Sequence, residues 1–204
     1  MLTSVLIATW ALALTSATLT AQGAVADGAR FSADGKLQRP ADYRGEWVYL
    51  TSGLGMTYGP TQPAAGEPRF FDNVFVNRES YRQFMATGTW PDKTMFILEL
   101  RGSEQKASIN NGGQTQGPRI LGIEAAVKDV ARFPDGWGYF GFGSGDALLP
   151  AAEPEPLTAS CYTCHKANTA VENTFVQFYP TLMEVAQRMG TVKPTYDPNH
   201  KVAP

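Results

Sequence analysis

Two cysteines and one histidine form the most chemically informative cluster in the sequence. Cys161, Cys164 and His165 stand in the pattern C-x-x-C-H, the signature of covalent haem attachment. Two thiols at this spacing, on a turn that enters a helix, can add to the two vinyl groups on one edge of a porphyrin, and the next imidazole then reaches the iron. The pattern predicts one covalent haem c per chain. His165 is the predicted iron ligand through Nε2, with its Nδ1–H held by a carbonyl or a carboxylate.

A disulfide between Cys161 and Cys164 is the main alternative, because the chain has no other cysteine and is predicted to work in an oxidising compartment. Redox-active C-x-x-C motifs usually open the first helix of a βαβ unit near the N-terminus. Here the motif lies near the C-terminus of a β-rich chain, which favours haem. A zinc site would need more ligands than the one remaining histidine, His200, supplies.

The sixth coordination position of the iron is predicted to lack a strong protein ligand. Small electron-transfer cytochromes place the motif early and recruit a methionine from far downstream, but only about 40 residues follow His165 here. Met183 and Met189 fall among core-facing aromatic residues of a predicted helix, where methionine usually packs. The sequence therefore predicts an open site for a small ligand.

Length, composition and the N-terminus limit the class of protein. The chain has 204 residues, 43% of them apolar and 18% charged, with a net charge of −2, which excludes a basic nucleic-acid-binding protein. Residues 1–26 lack charged side chains and combine a short apolar run with an A-x-A triplet, so they predict a signal peptide; an uncleaved anchor is the alternative. The mature chain, 27–204, is then a single periplasmic or secreted domain.

The hydrophobic pattern predicts an α+β domain built on a small antiparallel five-stranded sheet, with flanking helices and a C-terminal haem-binding segment. The predicted strands are Glu46–Thr51, Phe70–Asn77, Thr94–Arg101, Ile120–Val127 and Trp137–Phe142. The predicted helices are Glu79–Gly88 and a longer segment, Thr169–Met189, kinked at Pro180. Ser108–Pro118, rich in Gly, Asn and Gln, is predicted to be a surface loop.

Several ordered motifs resemble the cytochrome P-460 family, which includes the beta-type cytochromes c-prime. They are EWVYL, NVFVNRESYRQF, WPDKT followed by LEL, IEAAVKD, GWGYFGF and CYTCHKAN followed by FVQFYPTL. The resemblance implies a five-coordinate c-type haem against an antiparallel sheet and usually a homodimer. It also implies a carboxylate near the haem pocket that assists proton transfer, at the position of Glu124.

One departure from the family pattern concerns catalysis. Members that oxidise hydroxylamine carry a lysine in T-x-x-x-K-E-L that is linked covalently to the porphyrin, and this chain has Leu98 there. Lys93, in the preceding turn, would need a five-residue shift along the strand to replace it. The resemblance then favours the beta-type cytochromes c-prime, whose apolar distal side admits NO or CO.

Strand alternation predicts the wall opposite the iron ligand. Phe96 and Leu98 share one face of their strand. Phe75 and Phe71 are predicted to occupy a similar face of the preceding strand, where either could cap the iron. Ordinary core packing is the alternative for each aromatic residue, and a solvated carboxylate is the alternative for Glu124.

Three functions remain open on the sequence. The favoured one is a haem protein that binds a small ligand such as NO or CO; the others are an enzyme that oxidises hydroxylamine and a simple electron carrier. Each would work with a redox partner protein. A possible catalytic residue for the enzyme is Glu124.

Overall fold

The computed structural model describes residues 28–58 and 69–200, so the predicted signal peptide lies outside the described residues. The described residues form seven strands and four α-helices, an α+β fold as the sequence predicts. Within this part of the chain, no helix has the length and apolar character needed to cross a membrane. In chain order the elements are β1 (Leu37–Gln38), α1 (Tyr43–Glu46), β2 (Val48–Leu54), β3 (Phe70–Val76), α2 (Arg78–Thr87), β4 (Met95–Gln105), β5 (Gln114–Lys128), β6 (Trp137–Gly141), β7 (Ala151–Ala152), α3 (Ser160–Asn168) and α4 (Pro180–Met189).

The five longer strands form an antiparallel meander in the order β2-β3-β4-β5-β6, which confirms the predicted sheet. β1 and β7 pair separately. Strand β5 begins at Gln114, inside the predicted loop 108–118, because the hairpin it forms with β4 continues past Arg101 to the pair Gln105 and Gln114. The loop prediction is therefore wrong for its last residues: cross-strand hydrogen bonds outweigh their weak strand propensity.

Each face of the sheet is covered by its own hydrophobic core. On one face, Phe96 packs with Trp90, Trp137 and residues of α2 and α4 such as Phe84 and Leu182. On the other face, side chains of β3 to β6 pack with the N-terminal segment; they include Phe75, Ile97 and Phe140, together with Leu37 and Tyr43. Burial on both faces explains why β4 reads as a continuous apolar run rather than an alternating one.

The second face also holds a buried carboxylate. Glu99, 1% exposed, accepts hydrogen bonds from the hydroxyl of Tyr43, from Nε of Arg44 at 2.6 Å and from Nε of Arg101 at 2.8 Å. Tyr43 and Arg44 belong to α1, so this network attaches the N-terminal helix to the central strand. Because three donors bind the buried carboxylate, its hydrogen-bonding capacity is satisfied and its burial does not destabilise the fold.

The C-terminal helices differ from the predicted continuous segment 169–189, and that prediction is wrong. The C-x-x-C-H residues themselves form α3, a loop follows, and α4 starts with Pro180 in its first turn. Proline fits that position because its missing N–H would have no intrahelical partner there. Pro180 therefore starts a helix rather than bending one. The loop between α3 and α4 presents the backbone carbonyl of Asn173 to His165.

Candidate functional site

A cavity of about 400 Å³ lies between α3 and one face of the sheet. This volume falls within the range of roughly 300 to 1,000 Å³ that is typical of cofactor and ligand sites. Six of the seven site residues predicted from the sequence line it: Phe96, Leu98, Glu124, Cys161, Cys164 and His165. The seventh, Phe75, does not.

The imidazole of His165 is oriented by a backbone carbonyl. Its Nδ1 lies 2.8 Å from the carbonyl oxygen of Asn173, and because a carbonyl can only accept, Nδ1 must carry the proton. The lone pair of Nε2 is then free to bind a metal. Burial lowers the pKa of His165, so the ring is held neutral. Rings of Tyr139 and Phe175 flank the imidazole at centroid distances of 4.4 and 4.6 Å and fix its tilt.

The loop that presents the Asn173 carbonyl is held by buried hydrogen bonds. Trp90 Nε1–H donates to Thr174 Oγ1 at 2.9 Å, and both residues are at least 96% buried. The Gln177 side chain closes the loop by accepting from the Ala170 N–H and donating to the Asn168 carbonyl. The iron-ligand geometry therefore depends on residues far from the C-x-x-C-H motif.

Thr174→Val tests this support. The change removes the acceptor of a buried indole N–H, and an unsatisfied buried donor costs about 1 to 3 kcal/mol in free energy of unfolding. Urea denaturation measures it. Thr115→Val, at an exposed strand position, is the control and is expected to change stability by less than about 0.5 kcal/mol. Equal losses in the two variants would contradict a role for the Trp90–Thr174 bond.

The two cysteines are free thiols on consecutive turns of α3, and both line the cavity beside His165. Burial raises the pKa of Cys161, so its thiol is protonated at neutral pH. Asn168 Nδ2 donates to the Cys164 carbonyl at 3.1 Å and closes the end of the helix. The helix thus presents two thiols and an imidazole to one cavity, which is the arrangement that thioether attachment of a porphyrin requires.

The sheet wall of the cavity carries Leu98, and the predicted place of Phe75 on that wall is wrong. Val74 pairs with Leu98 across the β3–β4 ladder, whereas Phe75 pairs with Ile97. Directly paired residues point to the same face, so Phe75 lies on the opposite face, among Tyr43 and Tyr49 with ring centroids 5.2 and 5.3 Å away. It packs as core and cannot cap an iron in the cavity.

The same register brings an acidic residue that the sequence prediction missed to the cavity. Asp72 shares the cavity-facing side of β3 with Val74, and its Oδ2 is buried with no hydrogen-bond partner among the described residues. Desolvation, with a smaller contribution from the charge of the nearby Glu124, raises the pKa of Asp72 to about 6 against the lowering effect of the Met56 backbone N–H. Glu124 pairs with Leu98 and points into the same cavity. Its side chain stays accessible to solvent there, but the surrounding protein atoms desolvate the carboxylate and so raise its pKa.

Lys93 lies in the turn before β4, where its amine forms ion pairs outside the cavity. Its Nζ lies 2.7 Å from Asp129 and 3.5 Å from Asp92, and its backbone N–H donates to the Lys128 carbonyl. Lys93 does not line the cavity, and none of the described residues that do is a lysine or an arginine. The turn at Lys93 thus places its amine outside the site.

Aromatic and thioether side chains complete the cavity. The hydroxyl of Tyr139 is buried without a partner among the described residues, and burial raises its pKa. Tyr179 closes the inner end by stacking on Phe96 at 6.4 Å. Met56 follows β2, and its Sδ accepts from the Tyr58 hydroxyl at 3.9 Å. The strand pattern of β6 and the apolar pattern of the predicted segment 169–189 mark Tyr139 and Tyr179 as core positions, whereas Met56 and Tyr58 occupy loop positions without a sequence pattern.

A neutral imidazole with a free Nε2, two thiols one helical turn apart and a largely apolar cavity together define a haem-binding cytochrome. Residues 40–176, more than half of the chain, match the family model of Cytochrome P460. The chain therefore belongs to the cytochrome P460 family, and haem is its cofactor. Comparison with curated proteins gives no significant match.

Proposed function

We propose that the chain is an exported mono-haem c-type cytochrome that binds small ligands such as NO or CO at an open iron position. Cys161 and Cys164 would hold the haem through thioether bonds, and His165 would bind the iron through Nε2. Bound in this way, a haem iron with one open position supplies reversible binding of NO and CO. The mature chain would act as a periplasmic or secreted homodimer with a redox partner protein.

The observation that carries this proposal is the hydrogen bond from His165 Nδ1 to the Asn173 carbonyl. It leaves one nitrogen lone pair directed at the cavity, beside the thiols of Cys161 and Cys164. Opposite, the sheet offers Leu98 and Val74, which are aliphatic and do not bind iron. These contacts favour ligand binding over the hydroxylamine-oxidising alternative.

The electron-carrier alternative depends on a methionine. Met183 of α4 is partly buried against the hydrophobic core, and Met189 is 41% exposed; neither lines the cavity. Met56 does line it, with its Sδ within 2.3 Å of the position that a Cβ on Gly53 would take. The thioether of Met56 therefore packs against Gly53 of β2 rather than binding the iron. For this reason we expect Met56→Leu to leave the haem absorption spectrum unchanged. Loss of a low-spin spectrum in this variant would instead make Met56 the sixth ligand.

Covalent attachment is tested by mass. Protein expressed in a periplasm with haem-attachment machinery is expected to gain the mass of one haem and to keep it after denaturation. Replacing both Cys161 and Cys164 with Ala should let acid-acetone extract all haem, because only His165 then holds it. Apoprotein with a Cys161–Cys164 disulfide, in the presence of that machinery, would contradict the proposal.

A further inference from the structure

The polar part of the cavity is acidic on its sheet side. Asp72 projects from β3 and Glu124 from β5, on either side of the central strand that carries Leu98. No lysine or arginine of the described chain lines the cavity, so neither carboxylate has a cation to neutralise it there. Asp72 Oδ2 is buried and accepts no hydrogen bond from a described residue.

The backbone is shaped to leave room for the Asp72 carboxylate. A Cβ on Gly53 would lie 3.2 Å from Asp72 Oδ2 and would overlap the side chain of Met56. Gly53 in the neighbouring strand therefore makes the space that the carboxylate and the methionine share. An unpaired buried oxygen that persists in such a space is available to a molecule inside the cavity.

We infer that Asp72 and Glu124 form a carboxylate pair that sets the charge specificity of the cavity: it admits neutral ligands and excludes anions. The inference rests on the proposed function, since the ligand concerned is the one bound at the haem iron. It deepens that function by assigning a ligand class, neutral diatomic molecules, and by separating them from small anions such as azide or nitrite.

The electrostatics of the cavity support this assignment. Two carboxylates in a cleft with apolar walls focus negative potential on its interior, where an anion would have to lie to reach the iron. Burial raises the pKa of both groups; the charge of Glu124 adds to the rise of Asp72, which reaches about 6, and the charge of Glu155 adds to the rise of Glu124. The discrimination against anions is therefore strongest above about pH 7 and weakens as the pH falls. The other titratable groups that face the pair are Tyr58, Tyr139, Tyr179, Glu155, Cys161, Cys164 and His165.

Azide binding to the ferric protein and CO binding to the ferrous protein test the inference. For wild type we expect azide affinity to fall about tenfold from pH 5.5 to pH 7.5, the effect of a unit charge in a partly screened cavity. Asp72→Asn should raise azide affinity about tenfold at pH 7.5 and flatten the pH dependence, and Glu124→Gln should do so in part. CO affinity should be the same in all variants. Asp146→Asn, at an exposed carboxylate outside the cavity, is the charge-matched control and should change neither ligand.

A second measurement does not depend on haem. A carboxyl whose pKa is raised by folding costs stability once the pH exceeds its unfolded value, so the stability of Asp72→Asn relative to wild type should increase from pH 4 to pH 7 and then level off. Haem-loaded protein with equal azide affinity in wild type and Asp72→Asn at pH 7.5 would overturn the inference and leave the proposed function standing. Protein without haem would contradict the proposed function, and a stability difference that does not vary with pH would still overturn the inference.

Discussion

Replacing Glu99 with Gln is expected to lower the free energy of unfolding by about 3 kcal/mol at neutral pH. The change keeps the shape of the side chain but removes the charge that Arg44 and Arg101 share, with N–O distances of 2.5 and 2.6 Å. Removing one partner of a buried charged network leaves the other charges uncompensated, which typically costs about 3 to 5 kcal/mol. Arg44 is partly exposed, and water there keeps the loss near the lower end of that range.

The effect should depend on pH in a defined direction. Burial raises the pKa of Glu99, but hydrogen bonds from Tyr43, Arg44 and Arg101 outweigh it and hold the pKa below its ordinary value of 4.5. A lowered pKa means that the carboxylate contributes its full stability above the unfolded value and loses it as the pH falls through the folded value. Glutamine does not titrate, so the difference between wild type and variant should shrink below about pH 4.5.

Urea denaturation at pH 7 and at pH 3 measures both statements. Glu104→Gln, at an exposed position of the same strand, is the control and should change stability by less than about 0.5 kcal/mol at either pH. A Glu99→Gln loss that is no greater than that of the control, or one that grows in acid, would contradict the network described for α1.

The sequence predicted the parts of the site that local chemistry specifies. C-x-x-C-H predicts three residues at once because thioether attachment of a haem would demand their spacing, and all three line the cavity. Alternation along β4 correctly put Phe96 and Leu98 on one face. The antiparallel sheet followed from five short strands separated by turns. These predictions needed no knowledge of what lies across the sheet.

The parts that failed depend on pairing between distant strands. In β3, apolar residues occur on both faces, so the pattern does not tell whether Phe75 or Val74 faces the cavity; only the register with β4 does. Because Val74 rather than Phe75 faces the cavity, Asp72, two residues before Val74, faces it as well, and no aromatic side chain of β3 caps the site. The carbonyl of Asn173 was equally hidden, since a backbone acceptor can come from any residue and carries no side-chain signature.

Digestion of the wild-type protein with trypsin is expected to release the peptide Thr94–Arg101 free of haem. In relatives that oxidise hydroxylamine, a lysine at the position of Leu98 is linked to the porphyrin, and an aliphatic side chain cannot form a bond from nitrogen to carbon. Leu98 lines the cavity beside Glu124, its cross-strand partner on β5, so a lysine at this position would project into the site. Without the link, turnover of hydroxylamine with an artificial electron acceptor should be negligible.

Lys93 provides the matched control, because its amine is the one near Leu98 in sequence and yet contacts Asp129 outside the cavity. Lys93→Ala should leave the haem spectrum and the haem content unchanged. A haem-linked peptide that contains Lys93, or substantial hydroxylamine oxidation that disappears in Lys93→Ala, would restore the enzymatic function.

In Leu98→Lys the new ammonium would face Asp72 and Glu124, and pairing with these carboxylates should offset much of the cost of burying it. The variant should therefore fold and load haem, which makes its hydroxylamine turnover a direct measure of what the missing lysine contributes.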